Sequence, residues 1–181
     1  SPYRSLAPRE FGVEYDVVHQ GGRFLKSTNK GALDFRVLQI HEGDLEKGTW
    51  SELMPHQPGR LIDSLHAYQD FFVLNVKENG TVKTLICKDD RTLEEVAFPD
   101  PAYESGVSGR EYSTRTLRLD YHSMTTPPSD YDYDVDRQTL THLKTAEVPG
   151  VDLSRYVTEQ IFAEARDGAV SYTHLTLPTS G

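Results

Sequence analysis

Thr116-Leu117-Arg118-Leu119-Asp120-Tyr121-His122, followed after Ser123-Met124-Thr125-Thr126-Pro127-Pro128 by Tyr131-Asp132-Tyr133-Asp134-Val135, is the stretch whose reading decides the fold. Leu117, Leu119 and Tyr121 recur at every second position, so one face of an extended strand is apolar while Arg118, Asp120 and His122 point to the other. The Thr-Pro-Pro step stops the ladder, because proline lacks an amide donor and biases the residue before it toward extended backbone. In the second run aromatic or β-branched residues alternate with acids, which predicts a second strand. Asp136-Arg137-Gln138-Thr139 supplies a turn, Leu140, His142 and Leu143 follow, and Glu147-Val148-Pro149-Gly150 closes the unit. These strands need partners outside themselves.

The same order occurs twice upstream. Tyr15-Asp16-Val17-Val18, a Gly21-Gly22 turn, Phe24-Leu25-Lys26, then Phe35 with Val37 to Ile40, a charged loop from Gly43 to Lys47, and Trp50 to Met54 read as four antiparallel strands. Leu61 to Leu65, Phe71 to Leu74, the Asn79-Gly80 hairpin, Val82 to Cys87 and Leu93 to Phe98 repeat them. Second strands at residues 24, 72 and 117 lie 48 and 45 positions apart, and third strands at 35, 83 and 131 lie 48 and 48 apart. A period of roughly 40–50 residues with four strands in each is the signature of propeller blades. A sandwich also spaces short strands regularly, but it is not expected to repeat a four-strand order three times. Arg60 to Tyr68 and Leu153 to Glu164 carry mixed helix and strand signals and are read as strands. Because propellers close with about 4–8 blades, three blades do not close a ring.

The chain of 181 residues is long enough for one domain with a real core, and its ten tyrosines and seven phenylalanines favour strands over a helical bundle. A formal net charge of −9 sets general repulsion against nucleic acid and anionic membranes and favours basic or neutral partners. The single cysteine, Cys87, excludes an intrachain disulfide and points to a reducing or redox-indifferent compartment. Between apolar neighbours it reads as strand packing rather than a reactive thiol. No apolar run reaches membrane-spanning length, and Ser1-Pro2-Tyr3-Arg4 is no signal peptide.

Catalytic and metal patterns are sparse. Gly106-Val107-Ser108-Gly109 is one residue short of the nucleophile elbow and reads as a loop. His19, His41, His56, His66, His122, His142 and His174 show no His-x-x-x-His spacing that converges on a metal. Asp130, Asp132, Asp134 and Asp136 have the spacing of a calcium loop, yet the residues between them demand a strand, and the glycine and terminal glutamate of such a loop are not in place. Lying on one face of one strand, they also argue against an opposed glycosidase pair. Asn79-Gly80-Thr81 fits a glycosylation acceptor, but Asn-Gly between apolar runs reads as a two-residue turn.

The run from Arg118 to Pro127, then Leu143-Lys144, Glu147-Val148-Pro149-Gly150, Tyr156 and Ala165-Arg166-Asp167-Gly168, resembles the end of the propeller in the prolyl oligopeptidase family of serine peptidases, in the branch that cuts after Lys or Arg. Phe98-Pro99-Asp100-Pro101-Ala102-Tyr103, and Glu14-Tyr15 with Arg23-Phe24 and Ser27-Thr28-Asn29, resemble the preceding blades, so the similarity runs over nearly all of 3–168. The resemblance implies a seven-bladed propeller that caps an α/β-hydrolase domain and admits short peptides while excluding folded proteins. It places this chain at the last three blades. The catalytic serine, aspartate and histidine of the family lie downstream, and no position here matches them. The run from Val170 to Thr179 departs from the family and resembles one reading frame of a transposon-type sequencing adapter. A natural strand carrying Tyr172, His174, Leu175 and Leu177 is the alternative.

The expectation is therefore an all-β chain of about three four-stranded antiparallel blades of an incomplete propeller over 1–168, with a non-native tail over 169–181. No catalytic, cofactor-binding or metal-ligating residue is expected in it. The resemblance implies a cytoplasmic or periplasmic parent acting on short basic peptides, with the missing α/β-hydrolase domain as the partner of these blades and no nucleic-acid or membrane partner. Alone, the chain is expected to be inactive. The alternative is a non-enzymatic propeller module whose loops bind a protein or peptide; a propeller glycosidase would require carboxylates on facing strands.

Overall fold

The computed structural model describes residue 6 and residues 9–88, 92–109, 111–150, 152–164 and 170–178. The opening 1–4 and the Ala165-Arg166-Asp167-Gly168 match lie outside the described residues. Three four-stranded antiparallel sheets follow one another, each with its strands ordered as they occur in the chain. The first holds β1 (Tyr15–Gln20), β2 (Arg23–Thr28), β3 (Arg36–His41) and β4 (Ser51–Met54). The second holds β5 (Arg60–Ala67), β6 (Phe72–Glu78), β7 (Thr81–Cys87) and β8 (Leu93–Glu95). The third holds β9 (Tyr103–Val107), β10 (Thr116–Ser123), β11 (Ser129–Asp134) and β12 (Thr139–Thr145). A two-stranded sheet of β13 (Tyr156–Glu164) and β14 (Val170–Pro178) comes last. Among the described residues the only helical pieces are 3-10 turns at Glu42–Asp44 and Leu153–Arg155.

The predicted periods reappear as geometry. β2, β6 and β10 begin at residues 23, 72 and 116, and β3, β7 and β11 at 36, 81 and 129. Third and fourth strands share an irregularity as well. Val37 pairs with Met54 and Leu38 with Glu52, so Leu53 is skipped; Asp130 pairs with Lys144 and Tyr131 with His142, so Leu143 is skipped. A bulge at the same place in the first and third sheets is a designed feature of a repeat, not a local defect. The hairpin reading of Asn79-Gly80 holds: φ is +50° and +77°, the left-handed pair that a tight two-residue turn requires.

The chain divides into two compact units, Ser1–Val76 with Leu85–Glu94, and Lys77–Thr84 with Glu95–Gly181. In the first, Leu25, Val37 and Met54 pack with Ile62, Leu65, Phe72, Leu74, Val76, Leu85 and Cys87 into an apolar core. Cys87 is buried within it, as strand packing predicts. In the second, β10 alternates strictly, with Leu117, Leu119 and Tyr121 buried and Arg118, Asp120 and His122 exposed. Burying a side chain of this size stabilises the fold by about 1.5–3 kcal/mol.

Three boundaries differ from the sequence reading: Leu153–Arg155, read as the start of a strand, forms a 3-10 turn and β13 begins only at Tyr156. Phe35 stands before β3 at φ +68° rather than inside a strand. β8 ends at Glu95 instead of Phe98, because Phe98 leaves the ladder and stacks on Tyr121 with ring centroids 4.7 Å apart.

Candidate functional site

The second unit carries a dense polar construction at the turn between β10 and β11. β10 delivers Tyr121 to the buried face, where its ring meets Phe98, Tyr103 and Tyr131 at centroid distances of 4.7, 5.5 and 5.5 Å. His142 of β12 extends the cluster, edge-on to Tyr131 at 5.1 Å. Such aromatic pairs add about 0.5–1.5 kcal/mol beyond area burial. A phenol buried in this way needs an acceptor. Tyr121 donates to Asp100 Oδ2 over 2.5 Å, and Thr126 Oγ1 donates to the same oxygen over 2.7 Å.

The turn is closed by its own hydroxyls. Ser123 N donates to the Thr126 carbonyl at 2.9 Å, while Ser123 Oγ accepts from the amides of Thr125 and Thr126 at 3.2 and 2.9 Å. Burial pushes the Asp100 carboxyl up, but hydrogen bonds from Tyr121, Ser123 and Thr126 outweigh it and hold it below the usual carboxylate value. The same environment raises the tyrosines. Burial and then the Glu95 charge push Tyr103 up to about 12, and burial followed by Asp100 raises Tyr121 and Tyr131.

A cleft of about 170 Å³ opens beside this turn, lined by Gly80, Val82, Tyr103, Glu104, His122 and Met124. His122 and Glu104 face each other across β10 and β9 at 3.6 Å. In the first unit a second cavity of about 220 Å³ lies among Phe35, Met54, Ile62, Leu74, Val76 and Leu93. His56 stands at its rim, accepting from the Asp34 amide at 3.2 Å.

The acidic strand is neutralised rather than poised. Asp132 sits opposite Arg118 and pairs with it at 2.6 Å; Asp130 pairs with Lys144 of β12 at 3.0 Å. Arg137 lies 3.7 Å from Asp134, and Arg115 pairs with Asp136. Asp130, Asp132 and Asp134 lie in β11 as the strand reading has it, Asp136 lies in the turn that follows, and each of the four meets a cation. Ser108 is in a loop beyond β9, its amide and hydroxyl both donating to the Arg118 carbonyl at 2.9 and 3.3 Å, so it is not held at an exposed elbow. Among the described residues no three His, Cys, Asp or Glu side chains come together as a metal site, and no helix is long and apolar enough to cross a membrane. The sequence reading assigned no role to Asp100. Its signal was the Pro99-Asp100-Pro101 frame, which holds an acid in a loop where strand alternation says nothing about it.

Three sequential four-stranded sheets, the first and third sharing a bulge, define the chain as blades of a β-propeller. Residues 1–146 match the family described as prolyl oligopeptidase, N-terminal beta-propeller domain. The chain belongs to this family. It is 33% identical over 165 residues to dipeptidyl aminopeptidase BI from Pseudoxanthomonas mexicana, covering 90% of this chain and 23% of that protein. It is 27% identical over 170 residues to Protease 2 from Moraxella lacunata, covering 93% and 24%. Among solved structures, oligopeptidase B from Trypanosoma brucei, in a closed form with covalently bound antipain, superposes with a TM-score of 0.84 at 29% identity, over 97% of this chain and 26% of that one. The chain thus spans about a quarter of the length of the proteins it matches.

Proposed function

We propose that this chain is the carboxy-terminal part of the gating propeller of a serine oligopeptidase that cuts after Lys or Arg, and that by itself it has no peptidase activity. In this reading the catalytic serine, with histidine as its general base, belongs to an α/β-hydrolase domain encoded downstream. The blades restrict entry to short peptides. The observation that carries the proposal is the succession of three sheets in chain order, ending in a strand that departs from the last of them, which is what a propeller joined to a following domain requires. The site of action is the cytoplasm or the periplasm. Residues 169–181 are proposed to be a non-native tail, a reading that rests on the likeness of Val170 to Thr179 to a sequencing-adapter frame.

The test is to recover the uninterrupted gene, express its full product and assay peptidyl amides ending in Lys or Arg against others ending in Ala or Glu. Cleavage confined to Lys and Arg, absent from the 181-residue chain alone, is the expected result. A gene that stops after Gly181, or a full product without this preference, overturns the proposal in favour of a propeller that only binds.

A further inference from the structure

The chain that leaves the third blade is fastened to the β10–β11 turn twice. At the near end Ala146 N donates to the Pro128 carbonyl at 2.8 Å, and the Ser129 and Thr145 hydroxyls bond at 2.8 Å. Between the two ties lie Pro149 and Gly150, the latter at φ +79°, with Val148 exposed. At the far end the chain returns. Thr158 of β13 is 5% exposed, and its hydroxyl bonds that of Thr125 at 3.2 Å. Thr125 is held in place by the turn, and the turn by Asp100, which takes the hydroxyls of Tyr121 and Thr126 on a single oxygen.

We infer that Asp100 is a positioning residue for the peptidase: through the turn 123–126 it clamps residues 147–158 as a strap, so that whatever follows pivots beyond Thr158 and not at Pro149-Gly150. Three features support this assignment. A loop with proline, a left-handed glycine and an exposed valine is the ordinary place for a joint, yet here both its ends are tied to one turn. The far tie is a hydroxyl pair buried at one point of a strand whose described neighbours Tyr156, Val157 and Glu159 are exposed, so it is specific rather than part of a packed face. The carboxylate that sets the turn has no cation within ion-pair distance among the described residues, so its bonds to neutral hydroxyls are its whole anchorage. The clamp stands on the geometry alone; its effect on substrate size rests on the peptidase reading.

In the full-length protein, amide hydrogen exchange over 152–158 in Thr158→Val is expected to run about fivefold faster than in the wild type, the weight of one net hydrogen bond. Thr125→Val should match it, the double variant should add nothing further, and Thr158→Ser, which keeps the hydroxyl, should restore protection. Unchanged exchange in both valine variants, or additive effects, overturns the clamp. The second readout is the rate on a long Lys/Arg peptide relative to that on a dipeptide amide. This ratio should rise in Thr158→Val and fall back in Thr158→Ser; an unchanged ratio overturns the positioning role. Faster exchange in a protein that cleaves neither substrate keeps the clamp and removes the peptidase reading instead.

Discussion

The Tyr121 phenol donates to Asp100 across 2.5 Å, tying the buried face of β10 to the Pro-Asp-Pro loop 21 residues upstream. Tyr121→Phe removes that donor while leaving the ring stack with Phe98 intact. The carboxylate then keeps the Thr126 hydroxyl but loses its shortest partner, which costs about 1–3 kcal/mol. The expected outcome is a lower melting temperature of the propeller in the full-length protein, followed by near-ultraviolet tyrosine dichroism. A melting temperature equal to that of the wild type would show that the bond contributes nothing net.

Asp100 also sets a pH dependence. Its carboxyl lies below the ordinary value in the folded chain because hydroxyl bonds to the charged form outweigh burial. A depressed carboxylate contributes stability that is fully present above its unfolded value of about 3.9 and is lost as pH falls through the lower folded value. Wild type should therefore exceed Asp100→Asn in stability by a constant margin near neutrality, and the margin should shrink below about pH 4. Melting curves of both proteins between neutral and acid pH check this; a margin that grows in acid contradicts it.

Leu25 has no exposed surface and Leu33 is 84% exposed. Leu25→Ala opens a cavity against Val37 and Phe72 in the first unit and should cost about 2–5 kcal/mol. Leu33→Ala should shift stability by no more than about 0.5 kcal/mol. Denaturation midpoints of the two variants decide the matter, and equal losses would place the core elsewhere.

If the net charge of −9 draws basic peptides toward the peptidase, kcat/KM for Lys and Arg substrates should fall as ionic strength rises, while a neutral substrate should be unaffected. Asp130 and Asp132 are paired with Lys144 and Arg118, so neutralising both pairs together, acids and cations alike, leaves the net charge and therefore the salt slope unchanged. A flat dependence for basic substrates would end the steering idea.

The sequence by itself determined the blades. Strict alternation in Leu117, Leu119 and Tyr121, the left-handed Asn79-Gly80 turn and the spacing of about 48 residues are local or periodic properties, and each is written in residue types that allow one backbone geometry and not another. The departures lie where partners distant in the chain compete with the local pattern. Phe98 continues an apolar run, but stacking on Tyr121 takes it out of β8. Asp130 and Asp132 read as a row of charge until antiparallel pairing sets Lys144 and Arg118 opposite them. Only the tertiary structure decided that Asp100 fixes the β10–β11 turn and that Thr125 meets Thr158, 33 residues further on. A hydroxyl or carboxylate finds its partner by proximity in space, and no period in the sequence encodes that proximity.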